Sequence, residues 1–177
     1  MSDPTPSRSL HGAAVLADPL VHELLVARLV VVLATVEPDG SVHAVPVWCA
    51  CTDDAIVFAT GSRSRKVRNL ERDARATVAL HDSRPGFEVC GASIRGIVEI
   101  LHAPAADALV ALVHDRYVTV EGQRLPGPAA FLSSDDVALV LRPVEAVTWD
   151  ERASEASADL RHARAAYPIE PTSPRPH

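Results

Sequence analysis

One short run constrains the fold of this chain more than any other. Val30 to Val36 is almost wholly β-branched or apolar, which favours a β-strand. Glu37-Pro38-Asp39-Gly40 follows as a turn, because proline fixes φ and glycine accepts a positive φ. Ser41 to Ala50 can then form the partner strand, in which Pro46 lacks an N–H to donate. The sequence therefore predicts a β-hairpin whose second strand lies at a sheet edge, or bulges or splits near Pro46.

Strand and helix patterns alternate along the rest of the chain. An N-terminal helix is predicted from Asp18-Pro19, where the aspartate can cap and proline suits the first helical position. Further strands are predicted at Ala55 to Thr60, Ala76 to Leu80, Val89 to Leu101 and Val137 to Trp149, and further helices at Ser64 to Arg72, Ala105 to Tyr117 and Ala153 to Ala166. Glycines and prolines between the last of these strands and the helix before it predict a loop over Val118 to Ser134. Because hairpins join most of the strands, the pattern favours a mainly β (α+β) antiparallel barrel with peripheral helices over a doubly wound sheet.

Length and composition favour one domain. The 177 residues, 47% of them hydrophobic, suffice for a single core, which we assign to residues 13–166. Residues 1–12 are polar, and residues 167–177 are rich in proline. Both ends are predicted to be disordered.

Several classes of protein are disfavoured. No apolar stretch approaches the roughly 20 residues that cross a bilayer, and no export signal begins the chain, so we expect a soluble, cytoplasmic protein without a membrane partner. The net charge of -6 argues against a nucleic acid partner. Cys49, Cys51 and Cys90 are predicted to be free thiols. No second Cys/His pair accompanies the first two at zinc-finger spacing, so no metal site is expected.

The segment from Thr60 to Leu70 concentrates cations and hydroxyls after a strand. Six of the 17 basic residues lie between Arg63 and Arg75, and Lys66 is the only lysine of the chain. Hydroxyls and free amides at a helix start bind phosphate well, and Arg and Lys add charge-assisted hydrogen bonds. The alternative is a solvated helix face balanced by nearby acids. The loops Gly-x-Gly-x-x-Gly and Gly-x-x-x-x-Gly-Lys-Ser/Thr are absent from the chain.

Four segments occur in an order that resembles a known family. They are Leu33-Ala34-Thr35-Val36-Glu37-Pro38-Asp39-Gly40, then Val45-Pro46-Val47-Trp48, then Ser64-Arg65-Lys66-Val67-Arg68-Asn69-Leu70 with Asp73-Ala74-Arg75, and finally Arg95-Gly96-Ile97-Val98-Glu99. Together they are similar to the pyridoxamine 5'-phosphate oxidase-like split barrels, which bind FMN or a deazaflavin coenzyme. The likeness is greatest to the branch that uses the deazaflavin coenzyme F420.

The resemblance implies a six-stranded split barrel that forms a homodimer, with two coenzyme clefts at the subunit interface. By matching position, Lys66 and Arg65 are expected to bind the coenzyme phosphate, with hydroxyls from Ser64 and Thr60. Arg63 is a weaker candidate. The backbone of Val45, Pro46, Val47 and Trp48 is expected to lie along the flavin ring. Asn69 is expected to brace the loop rather than touch the ligand.

The implied activity is that of an oxidoreductase transferring hydride between coenzyme F420 or FMN and a small conjugated substrate. The coenzyme carries that chemistry, so few catalytic side chains are needed, and none is assigned. The chain lacks the Arg-x-His-type ending of the vitamin B6 oxidases. The alternative is a non-catalytic module that binds flavin or haem, for which His43, His81 or Cys90 would be the candidate haem ligands.

Overall fold

The chain is arranged as strands with peripheral helices. In this computed structural model, the structure describes residues 7–83, 89–132 and 135–163. The strands of these residues are β1 (Arg8–His11), β2 (Val31–Val36), β3 (Val42–Val47), β4 (Cys49–Cys51), β5 (Ile56–Gly61), β6 (Arg75–Ser83), β7 (Val89–Leu101) and β8 (Asp136–Asp150). The helices are α1 (Ala14–Ala17), α2 (Pro19–Val26), α3 (Arg65–Arg72), α4 (Asp107–Tyr117), α5 (Val120–Gln123), α6 (Pro126–Leu132) and α7 (Glu155–Ala163).

One antiparallel sheet contains all of the described strands. Its order is β3-β2-β6-β7-β8-β5-β4, and β1 pairs with β8. The consecutive strands β3 and β4 lie at opposite ends of this order, with Trp48 alone between them in the chain. The sheet must therefore curl until its two edges approach each other at Trp48. The predicted mainly β, antiparallel class is confirmed.

The predicted hairpin forms as β2 and β3. Its turn is closed by the amide of Glu37, which donates to the carbonyl of Ser41 at 2.8 Å, and Gly40 has φ of +84°. Pro46 lies on β3 and pairs with Val32 of β2. Strand β3 is an edge strand and ends one residue later, at Val47. Proline is tolerated there because an edge strand has one side without a ladder partner.

The core fills the inside of the curled sheet. Its largest fully buried side chains include Phe58, Leu33, Leu80 and Leu139. Helix α2 packs against β6 and β7. Its start is capped by the Asp18 carboxylate, which accepts from the amides of Leu20 and Val21 at 3.0 and 3.2 Å. These contacts agree with the cap expected from Asp18-Pro19.

Three expectations need correction. Residues 8–11 lie within the segment predicted to be disordered but form β1, because the ladder to β8 uses backbone groups and needs no apolar run. The described residues contain eight strands rather than six, since β1 adds one and β4 forms separately from β3. The stretch after α4, expected to be a loop, contains the short helices α5 and α6. The proline-rich tail, residues 167–177, lies outside the described residues.

Candidate functional site

Helix α3 is held against the sheet by its apolar side. Val67 and Leu70 are buried, as their spacing predicts. The buried Asn69 amide donates to the Thr35 hydroxyl at 3.1 Å, so this side chain braces the helix against β2. Ser64 occupies the N-cap position, but its hydroxyl makes no capping hydrogen bond. The orientation of α3 is thus fixed, while the N-cap side chain leaves the first-turn amides to other acceptors.

A cleft of about 600 Å³ opens beside the start of α3. It is lined by residues from β3, β5, α3, α4, α6 and β8 and from their connections. They are Val30, Pro46, Val47, Trp48, Ala59, Thr60, Gly61, Lys66, His114, Phe131 and Asp136. Its volume lies within the usual range for small-molecule and cofactor sites, about 300 to 1,000 Å³.

Lys66 supplies the positive charge of this cleft. Its ammonium donates to the Thr60 hydroxyl at 2.8 Å, and that hydroxyl is in turn 3.5 Å from the Ser64 hydroxyl. Burial lowers the pKa of Lys66, and the smaller attraction of the Asp136 carboxylate opposes that shift. An ammonium has three donors, and the neutral Thr60 oxygen takes one of them. Lys66 is therefore a partly desolvated cation able to bind an anion.

A histidine and a carboxylate stand near this cation. Nε2 of His114 lies 3.3 Å from Oδ2 of Asp136, and both side chains are only 10% exposed. His114 comes from α4 and Asp136 from the first position of β8, next to β5. The cleft thus contains ionisable groups of both signs.

Aromatic rings form another wall of the cleft. Trp48 stacks on Tyr117 with ring centres 4.9 Å apart, and Phe131 meets Trp48 edge-on at 6.0 Å. The Tyr117 hydroxyl donates to the Leu29 carbonyl at 2.7 Å and accepts from the Cys49 amide at 3.3 Å. Burial raises the pKa of Tyr117. Tyr117, which is held by these hydrogen bonds, therefore supports one face of the Trp48 ring.

Five of the residues expected at the site line this cleft: Pro46, Val47, Trp48, Thr60 and Lys66. Ser64 borders it through its contact with Thr60. The remaining three lie elsewhere. The side chain of Val45 packs against the main core, Arg63 is exposed, and Arg65 points to another groove.

That second groove, here called the arginine groove, lies on the outer side of α3. Arg65, Arg68 and Arg72 line its helix side, and Glu37 and His43 line the hairpin side. Arg65 is exposed and pairs with Glu37 at 3.7 Å. The three arginines share one face as the helical spacing predicts, and the groove is polar and open.

Sequence reasoning missed His114, Asp136 and Phe131. His114 lies in α4, a helix whose apolar spacing predicts packing rather than a site. His43 lines the arginine groove, His81 is exposed, and Cys90 is buried, so none of these three lines the cleft. The cysteines Cys49, Cys51 and Cys90 are free thiols.

Metal-binding clusters and membrane-spanning helices are both absent from the described residues. No cluster of three or more His, Cys, Asp or Glu side chains is placed to hold a metal ion. Within the same residues, no helix combines the length and apolar character needed to cross a membrane.

The curled antiparallel sheet, with a cleft beside Trp48 where β3 and β4 meet, has the form of a split β-barrel. The family model for pyridoxamine 5'-phosphate oxidase matches residues 17–150. The chain therefore belongs to the pyridoxamine 5'-phosphate oxidase-like family, and the predicted family and split-barrel fold are confirmed. Among curated proteins, none matches the chain significantly.

Solved structures resemble the chain over most of its length. A conserved hypothetical protein from Mycobacterium tuberculosis is 28% identical, with a TM-score of 0.63 over 75% of this chain and 83% of that one. An F420 reductase is also 28% identical, with a TM-score of 0.57 over 71% of this chain and 94% of the other. A pyridoxamine 5'-phosphate oxidase-related, FMN-binding protein from Nostoc punctiforme is 19% identical, with a TM-score of 0.54 over 80% and 83% of the two chains, and shares the fold.

Proposed function

We propose that this protein is an oxidoreductase that transfers hydride between coenzyme F420 or FMN and a small conjugated substrate. The observation that carries the proposal is the position of Lys66, half-buried in the cleft next to Pro46, Val47 and Trp48. A cation and aromatic side chains in one cleft suit a ligand that has an anionic end and a planar ring. The 28% identity to an F420 reductase favours the deazaflavin coenzyme.

The residues of the cleft fit the phosphate end of such a coenzyme. Lys66 retains donors beyond the one bound to Thr60, and Ser64 does not cap the helix start beside it. The positive end of α3 adds to the attraction for an anion. The coenzyme would supply the two-electron chemistry, while Lys66, Thr60 and Ser64 hold its phosphate and the Pro46 to Trp48 edge positions its ring.

Coenzyme binding is the direct test. Fluorescence quenching should show micromolar or tighter affinity of the purified protein for F420, for FMN or for both. Riboflavin, which lacks the phosphate, serves as the matched control for FMN and should bind more weakly. Absence of micromolar affinity for both coenzymes would refute the proposal.

Catalysis needs a separate measurement, because a binding module would also pass the first test. Reduced coenzyme bound to the protein should be reoxidised by a conjugated acceptor in stopped-flow absorbance, faster than reduced coenzyme free in solution. Binding without any acceleration across a panel of acceptors would instead favour the non-catalytic module.

We further propose that the active form is a homodimer. Apolar side chains are exposed around a shallow concavity of about 490 Å³ on the outer face of the sheet, including Val42 (67% exposed), Val144 (54%) and Ile97 (48%). The Arg95–Glu145 ion pair borders them. An apolar area with paired charges at its edge suits a second copy of this chain.

Light scattering after size exclusion tests the dimer. The wild-type protein should have the mass of two chains, and the double variant Ile97→Glu with Val144→Glu should have the mass of one. Val26→Glu is the matched control, because Val26 is 55% exposed on α2 and lies away from the concavity. A monomeric wild-type protein that still binds coenzyme would contradict the shared cleft.

A further inference from the structure

The cleft contains a titratable pair that the binding of a phosphate does not by itself explain. His114 and Asp136 line it together with Lys66, and Nε2 of His114 is 3.3 Å from Oδ2 of Asp136. Among the described residues that line the cleft, the largely enclosed Asp136 carboxylate lies with the Lys66 cation and would oppose an incoming anion. The pair therefore needs a role that is compatible with anion binding.

Charge balance suggests that role. Among the described residues that line the cleft, Lys66 carries one positive charge and Asp136 one negative charge when His114 is neutral. A phosphate adds negative charge next to both. An added negative charge favours proton uptake by a neighbouring imidazole, and His114 is the titratable lining residue that can gain a positive charge.

The surroundings of His114 allow a proton to reach it from solvent. His114 and Asp136 also line a second pocket of about 370 Å³, so the pair stands between this pocket and the cleft. Among the described residues, the other carboxylates around the second pocket are Asp107, Asp115 and Asp135. The Asp115 carboxylate accepts from the Gln123 side-chain amide at 2.8 Å. On the cleft side, the described lining contributes the basic side chain of Lys66.

We propose that His114 takes up a proton when an anionic ligand binds next to Lys66, so that the His114–Asp136 pair couples coenzyme binding to protonation. The inference rests on the proposed function of the cleft. His114 thereby becomes a binding residue of the site, in addition to those that resemblance to the family implies, and Asp136 limits the affinity while His114 is neutral. Because the bound state holds the extra proton, affinity should rise as pH falls, by up to about tenfold per pH unit, the limit for one linked proton.

Calorimetry can count the protons. The binding of F420 and of FMN should be measured between about pH 5 and 8, where histidine titrates, in buffers that differ in ionisation enthalpy. The slope of the observed heat against that enthalpy gives the protons taken up per coenzyme bound. The phosphate of FMN also titrates near pH 6, so the informative quantity is the difference between wild type and variant.

Two variants and one control separate the outcomes. His114→Gln should lose most of the proton uptake and flatten the pH dependence of affinity. Asp136→Asn should bind coenzyme several-fold more tightly at pH 8, because the opposing carboxylate is removed. His22→Gln is the matched control, since His22 is exposed on α2 and does not line the cleft. It should behave as wild type.

Equal proton uptake in wild type and His114→Gln would overturn the inference while leaving coenzyme binding established. If the wild-type protein binds neither coenzyme, the proposed function itself is refuted. If His114→Gln does not fold, as judged by circular dichroism, NMR titration of the His114 ring in the wild-type protein decides. An unchanged protonation state on addition of saturating coenzyme would then reject the proposal.

Discussion

The two sides of α3 carry the same kind of charge in opposite surroundings. Lys66 lies in the cleft, where burial lowers its pKa and its ammonium bonds to the neutral Thr60 hydroxyl. On the other side, Arg65 is exposed and pairs with the Glu37 carboxylate. Exposed ion pairs are screened and contribute little, whereas a partly desolvated cation interacts strongly with a ligand. The number of cations in a helix is therefore a poor guide to a site, and their burial is a better one.

The largest expected effect comes from removing the cation of the cleft. Lys66→Ala should weaken coenzyme binding by about 1.5 to 3 kcal/mol, roughly a 10- to 150-fold rise in Kd, because hydrogen bonds to charged groups have this magnitude. Fluorescence quenching measures it. Arg68→Ala, which removes a cation from the arginine groove, is the matched control and should change Kd by less than about threefold. An unchanged Kd in Lys66→Ala would remove Lys66 from the site.

A smaller effect is expected at the aromatic wall. Trp48→Ala removes the ring that stacks on Tyr117 and borders the cleft, and aromatic pairs contribute about 0.5 to 1.5 kcal/mol beyond their buried area. Kd should rise by roughly 2- to 13-fold. Trp48→Phe retains an aromatic face and should recover most of the affinity. If Trp48→Ala binds as tightly as wild type, the ring of the coenzyme does not lie against this wall.

The arginine groove should contribute least to binding, and its contribution should depend on salt. Arg65→Ala is expected to cost less than about 1 kcal/mol in dilute buffer. The cost should disappear near 1 M salt, where the screening length is about 3 Å, while the effect of Lys66→Ala persists. Kd measured at low and high salt separates the two. An effect of Arg65→Ala as large as that of Lys66→Ala would transfer the phosphate site to the arginine groove.

The parts of this fold that the sequence predicted are those set by local rules. The β2–β3 hairpin follows from β-branched residues and a Pro-Asp-Gly turn, and β7 has the predicted bounds, Val89–Leu101. The buried side of α3 follows from the spacing of Val67 and Leu70. By contrast, β1 has no apolar signature, because its position depends on backbone pairing with β8, more than a hundred residues further along the chain.

From the sequence, candidate site residues could be named only on the elements that the family resemblance covers. The Pro46 to Trp48 edge and Lys66 line one cleft because β3, β4 and α3 meet there. His114 and Asp136 are 22 positions apart, and packing of α4 against β5 and β8 brings them together. No spacing rule links them. The side of α3 that becomes enclosed depends likewise on the aromatic residues Trp48 and Phe131 from distant segments.

The smallest expected effect tests the cost of burying Lys66. The folded-state pKa of Lys66 lies below its ordinary value of 10.5 because of burial, so between these two values the folded protein binds fewer protons than the unfolded chain. The free energy of unfolding should therefore rise with pH in that range, and at lower pH the buried charge opposes folding. Lys66→Met keeps the aliphatic stem and removes the charge. It should flatten the rise and leave the protein at least as stable at neutral pH, with a gain below about 1 kcal/mol because the side chain is half-exposed and screened.

Thermal unfolding followed by circular dichroism over a pH series measures this effect, and Arg68→Met is the control from the arginine groove, where the charge is exposed and no change in slope is expected. A clear loss of stability in Lys66→Met at neutral pH would mean that Lys66 stabilises the fold and needs no ligand to explain its position. Weaker coenzyme binding in Lys66→Ala together with undiminished stability in Lys66→Met is the result expected of a residue that serves to bind a ligand. The reason is that desolvation of the Lys66 ammonium opposes folding but strengthens its attraction for an anion.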